Sequence, residues 1–171
     1  MTRDAGWLNA LSKQEAIREL KSCCGATRWA EQMVNRRPFA TGDELAAAAD
    51  EIWWSLSSDD WLEAFHAHPR IGEQKAASVA SAQSLQWSDK EQAGVRNASE
   101  ETSELLTRLN REYEARFGHI FIVCATAKSS EEMLAILRQR MGNEPATELR
   151  IAAGEQAKIT RLRLKKLIDC P

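Results

Sequence analysis

The sequence predicts an all-α fold: one multi-helix domain over residues 1–171, with about seven or eight helices and almost no β structure. Three observations carry this expectation. Apolar residues recur at three- and four-residue spacing along most of the chain, as in Leu45, Ala48, Ala49, Ile52, Trp53 and Leu56. A Ser or Thr precedes a Glu by three residues at Ser12–Glu15, Thr41–Glu44, Ser88–Glu91 and Ser129–Glu132, the spacing at which each side chain caps the other's backbone amide. Only Phe121-Ile122-Val123-Cys124-Ala125 is β-prone, and it has no partner run.

In chain order, Ser12 opens a helix carrying Ile17 and Leu20, closed by Gly25. A second helix holds Trp29 and Met33 and ends before Pro38. The Thr41 helix follows. Ser58 begins a short helix with Trp61, Leu62 and Phe65 inward, and Asp59-Asp60 suit its first turn. Gly72 to Gln86 is small, polar and weakly patterned, and reads as a loop with at most one helical turn. Ser88 starts the next helix, which breaks near Gly94 to Ser99. The pattern resumes through Leu105, Leu106, Leu109, Tyr113 and Phe117 to a stop at Gly118. Phe121–Ala125 reads as a buried extended segment. Ser129 caps a helix with Met133, Ile136, Leu137 and Met141. Asn143 and Pro145 open the last helix, with Ile151, Ile159, Leu162 and Leu167 inward.

A chain of 171 residues can bury roughly 70% of its unfolded surface, so it needs neither disulfide nor metal to fold. A net charge of -2 gives no general attraction to nucleic acid or anionic membranes. There is no membrane-length apolar run, and the segment from Met1 to Gly6 lacks the apolar core of a signal peptide. Cys23, Cys24, Cys124 and Cys170 lack metal-ligand spacing and suit reduced thiols in a cytoplasm.

His66-Ala67-His68-Pro69-Arg70-Ile71-Gly72 is the candidate centre. Pro69 cannot continue a helix and drives His68 into extended backbone, while Gly72 permits a turn. An imidazole fixed at such a corner can exchange protons near neutral pH; the alternative is a histidine that merely ends its helix. Two histidines with no supporting Cys, Asp or Glu do not make a metal site. Ser88 to Gln92 offers a helix N-terminus to a small polar ligand, with Glu91 as acceptor and Gln92 as a two-sided amide. Its other reading is an ordinary capping box. Arg161, in Lys158–Lys166, is either a buried partner for a ligand carboxylate or part of a solvated basic face. Reading that run as a DNA contact conflicts with the acidic balance of the chain. Cys124 has no evident activating partner.

The ordered set His68-Pro69-Arg70-Ile71-Gly72, Ser88-x-x-Glu91-Gln92 and Asn110-x-x-Tyr113-x-x-x-Phe117-Gly118-x-x-Phe121-Ile122-Val123-Cys124-Ala125 resembles the 2-oxo-4-hydroxy-4-carboxy-5-ureidoimidazoline (OHCU) decarboxylases of urate breakdown. Arg140, Asn143, Glu148, Glu155, Ile159 and Arg161-Leu162 extend the likeness to nearly the whole chain. The resemblance implies an all-helical, cofactor-free, metal-free homodimer acting on OHCU, which it converts to (S)-allantoin and CO2. It implies that His68 is catalytic; the chemistry of that reaction adds Glu91, expected to fix the His68 tautomer or the ureido group. It further implies that Pro69, Ser88, Asp89, Lys90, Glu91, Gln92, Arg161 and the backbone of Phe121, Ile122, Val123, Cys124 and Ala125 bind substrate. Two positions depart from the pattern: His119-Ile120, where an apolar residue and proline are common, and Lys128, where glycine is frequent and only the turn is expected to change. The rival reading is a non-catalytic helical module that binds a purine-like ligand.

Overall fold

A computed structural model describes residues 4–72 and 80–169. The described residues form nine α-helices: α1 (Ala5–Ala10), α2 (Lys13–Cys23), α3 (Thr27–Asn35), α4 (Gly42–Ser55), α5 (Ser58–His66), α6 (Ala82–Glu91), α7 (Glu100–Phe117), α8 (Ser130–Arg140) and α9 (Pro145–Ile168). A 3₁₀ turn covers Ala93–Val95, and no strand occurs among the described residues. The chain divides into two compact units, Met1–Ala64 with Ala157–Pro171, and Phe65–Gln156.

In the first unit, α1 precedes the earliest helix expected from the pattern. Arg37 holds the carbonyls that end it, donating from Nη1 to Leu8 O at 2.9 Å and Leu11 O at 2.8 Å. Ser12 and Glu15 form the expected capping box. Ala26 cannot cap α3 with a side chain. Glu63 of α5 substitutes, accepting from Thr27 N at 3.1 Å and Thr27 Oγ1 at 2.6 Å. Thr41 caps α4 by accepting from Glu44 N, whereas the Glu44 carboxylate reaches Ala40 N at 2.7 Å. Buried indoles tie the helices together: Trp29 Nε1 donates to Ala49 O and Trp61 Nε1 to Trp53 O. A tryptophan so placed buries a large apolar ring while its one polar atom stays bonded.

In the second unit, Ser81 caps α6, Ser99 caps α7, and Ser129 with Glu132 forms a full capping box on α8. Gly118 ends α7 in the left-handed region, φ 76°, as its position predicts. The core comprises Ile71, Leu106, Tyr113, Phe121, Val123, Ala125, Met133, Leu134 and Leu137.

Three expectations need correction here. Ser88 is not a helix N-cap: Ser88 to Glu91 is the last turn of α6, so that segment presents the carbonyl end of a helix rather than free amides. Part of the expected Gly72–Gln86 loop, Ala82 to Gln86, is helical, and residues 73–79 lie outside the described residues. On α9, Ile159 and Leu167 are buried but Ile151 and Leu162 are exposed.

Gly94 fixes where the 3₁₀ turn rests. A Cβ there would stand 2.1 Å from the Lys128 carbonyl oxygen, a backbone atom that cannot swing aside. Gly94→Ala is expected to destabilise by about 1–3 kcal/mol, the usual cost of overpacking a fitted contact, read as a lower urea midpoint. An unchanged midpoint would show that the turn shifts freely.

Candidate active site

The site is built within the Phe65–Gln156 unit. Helix α5 stops at His66, and His68 N donates to Phe65 O at 3.1 Å, closing the turn that Pro69 enforces. Gly72 takes φ 82°, so the chain reverses there at a conformation that glycine adopts without strain. Between them Ile71 plugs into the core, and its carbonyl accepts from Asn110 Nδ2 at 3.1 Å. Arg70 is clamped by Glu114 through two bonds of 2.8 and 3.0 Å. The corner is therefore fixed on both sides of His68. The ring itself is half-buried, with Nε2 2.6 Å from Oε1 of Gln156, a fully buried side chain of α9.

The segment Ser88–Gln92 meets this corner. Gln92 Oε1 accepts from Gly72 N at 3.2 Å, and Val95 packs against the same core that holds Ile71. Ser88 is buried, Glu91 and Gln92 are half-buried, and Asp89 and Lys90 are exposed. Asp89 pairs with Arg96 at 2.5 Å.

The run Phe121 to Ala125 is buried, as expected, and is neither helix nor strand. Phe121, Val123 and Ala125 enter the core that also receives Ile71; Ile122 and Cys124 are buried as well but do not belong to that cluster. Side chains grip the run's backbone. Glu155 Oε2 accepts from Cys124 N at 2.7 Å, and Lys128 Nζ donates to Cys124 O at 2.7 Å. Lys128 thus does more than alter a turn. The left-handed residue is Ala127, φ 61°. Arg140 Nη1 donates to Ile122 O at 2.6 Å, and its guanidinium lies 4.7 Å from the centre of the Phe121 ring.

Arg140 belongs to a buried polar cluster. Its Nε donates to Glu148 Oε1 at 2.6 Å, Tyr113 OH donates to the same oxygen, and Asn143 Nδ2 donates to Glu148 Oε2 at 2.8 Å. Glu148 is fully buried. Burial, reinforced by the bond to Glu148, pushes the Tyr113 phenol well above its usual range, so it stays a donor. His119, a departure from the family pattern, fills an apolar position against Phe65, Tyr113 and Phe117. Burial holds it below the ordinary imidazole range, so neutrality suits it there.

Arg161 lies in the other unit. It is exposed and paired with Asp50; the buried arginine of the basic run is Arg163, which bonds Ser22 O. Of the two readings of Arg161, the structure shows the solvated one. Sequence reasoning also missed Gln156. Its signal is a polar residue at the apolar register of α9, where Glu148, Ala152, Gln156 and Ile159 are all buried. Among the described residues, no three His, Cys, Asp or Glu side chains gather as a metal site, and no helix is long and apolar enough to cross a membrane.

The family model described as OHCU decarboxylase matches residues 9–165. The chain belongs to the OHCU decarboxylase family. It is similar to the uric acid degradation bifunctional protein TTL of Arabidopsis thaliana, 39% identical over 88% of this chain, though it spans only 47% of that protein. It is 35% identical to the OHCU decarboxylase of Amia calva over 79% of this chain and 77% of that one. A crystal structure of OHCU decarboxylase in the presence of (S)-allantoin superposes with TM-score 0.76 and 39% identity, covering 88% of this chain and 96% of that one. The all-helical fold is therefore that of the OHCU decarboxylases.

Proposed function

We propose that this chain decarboxylates OHCU to (S)-allantoin and CO2, with His68 as the proton-transfer residue. The single observation that carries the reading is the rigid corner at His68, tied through Gln92 to the Ser88–Gln92 segment and through one core to the Phe121–Ala125 backbone. In OHCU the carbon that loses CO2 bears a hydroxyl and adjoins a C=N bond. When the C–C bond breaks, its electron pair moves toward that C=N bond, whose nitrogen takes a proton. The hydroxyl then gives up its proton to become a carbonyl, and the neighbouring carbon gains one, which sets the stereocentre. The substrate is its own electron sink, so the protein must supply proton transfer, a fixed face and a dry wall for the carboxylate.

His68 performs the proton transfer, and Glu91 orients the ring or the ureido group. Pro69 and the Ser88, Asp89, Lys90, Glu91 and Gln92 segment shape the pocket mouth. The apolar wall and backbone come from Phe121, Ile122, Val123, Cys124 and Ala125. Arg161 is the candidate carboxylate partner, in competition with Asp50. The active form is a cytoplasmic homodimer with no cofactor. The test is to add the chain to freshly generated OHCU and follow (S)-allantoin by circular dichroism, with and without chelator. Faster, chelator-insensitive appearance of one enantiomer is expected. Binding without acceleration would favour the carrier reading instead.

A further inference from the structure

We propose that Gln156 is a positioning residue that holds the His68 ring as its Nε2–H tautomer, leaving Nδ1 as the basic nitrogen. The inference rests on the reading of His68 as the proton-transfer group and adds how that group is set. Gln156 has no exposed surface, and a buried amide without a partner is costly, so its oxygen is committed to the ring 2.6 Å away. An amide oxygen only accepts, so the facing ring nitrogen donates. A carboxylate at this position would draw a second proton onto the imidazole. A neutral amide aligns the ring and fixes its tautomer without adding charge. The next residue back, Glu155, holds Cys124 N at 2.7 Å. Two consecutive residues of α9 therefore hold both the histidine and the Phe121–Ala125 run, and the register of one helix fixes the spacing of the two.

The experiment uses the full chain labelled with nitrogen-15 histidine. It contains only three histidines, so the spectrum is simple, and His68→Asn assigns the His68 signals. His119, whose Nδ1 donates to Ile120 O at 3.0 Å, is an internal reference of the opposite tautomer. His68 is expected to show protonated Nε2 and lone-pair Nδ1, and Gln156→Met to give mixed tautomers. In that variant kcat should fall about tenfold, the scale of one lost hydrogen bond, with KM changed less than about twofold. Protonated Nδ1 at His68 in the parent chain, or a variant with unchanged tautomer and kcat, would overturn the proposal. Should Gln156→Met fail to fold, the spectrum of the parent chain decides alone. Should the parent chain leave OHCU decay unchanged, the catalytic reading fails while the spectrum still settles the tautomer.

Discussion

His68→Asn is expected to lower the rate of (S)-allantoin formation by about 10²–10⁴-fold, the range that positioned proton transfer supplies. Asparagine keeps a polar side chain of similar reach but has no group that titrates near neutrality. The corner should persist, because Pro69, Gly72, the buried Ile71 and the Arg70–Glu114 clamp hold it without the ring. Far-ultraviolet circular dichroism should therefore be unchanged while the enantiomeric signal falls toward the spontaneous background. A folded variant with the parent rate would remove His68 from the mechanism and leave the architecture standing.

The second large effect concerns stability. Arg140→Met leaves the Glu148 carboxylate buried without its cation and strips Ile122 O of its donor. Breaking a buried pair by removing one member costs about 3–5 kcal/mol. Tyr113 and Asn143 still donate to Glu148, but neutral donors do not replace a charge. The double variant Arg140→Met with Glu148→Gln should recover part of that loss, because the stranded charge is gone while Gln can still accept from Tyr113. Urea unfolding of the parent, both single variants and the double variant forms the cycle. An Arg140→Met midpoint equal to the parent's would show that the cluster contributes no stability. The exposed Arg36–Glu51 pair should contribute little by the same measurement, because water screens it.

Local chemistry made much of this legible in the sequence. Ser12, Thr41 and Ser129 cap helices as their spacing to Glu indicates, and Pro69 and Gly72 shape the His68 corner within a few residues. The identical spacing at Ser88–Glu91 misled because Ser81, in a stretch of weak pattern, opens the helix first. A capping box marks a start only where no earlier cap has won. Arg161 and Arg163 sit two positions apart and so point about 200° apart around α9. The register Ile159, Arg163, Leu167 selects the inward one, and all three are buried. His68 with Gln156, and Arg140 with Ile122 O, join distant parts of the chain. Such pairs follow from packing, not from local pattern.

The central claim is tested most directly by a crystal structure of this chain with (S)-allantoin bound. The ureido ring is expected within hydrogen-bond reach of His68, with the Phe121–Ala125 backbone along one side and the Ser88–Gln92 segment at the mouth. Allantoin seated elsewhere, out of reach of His68, would contradict it.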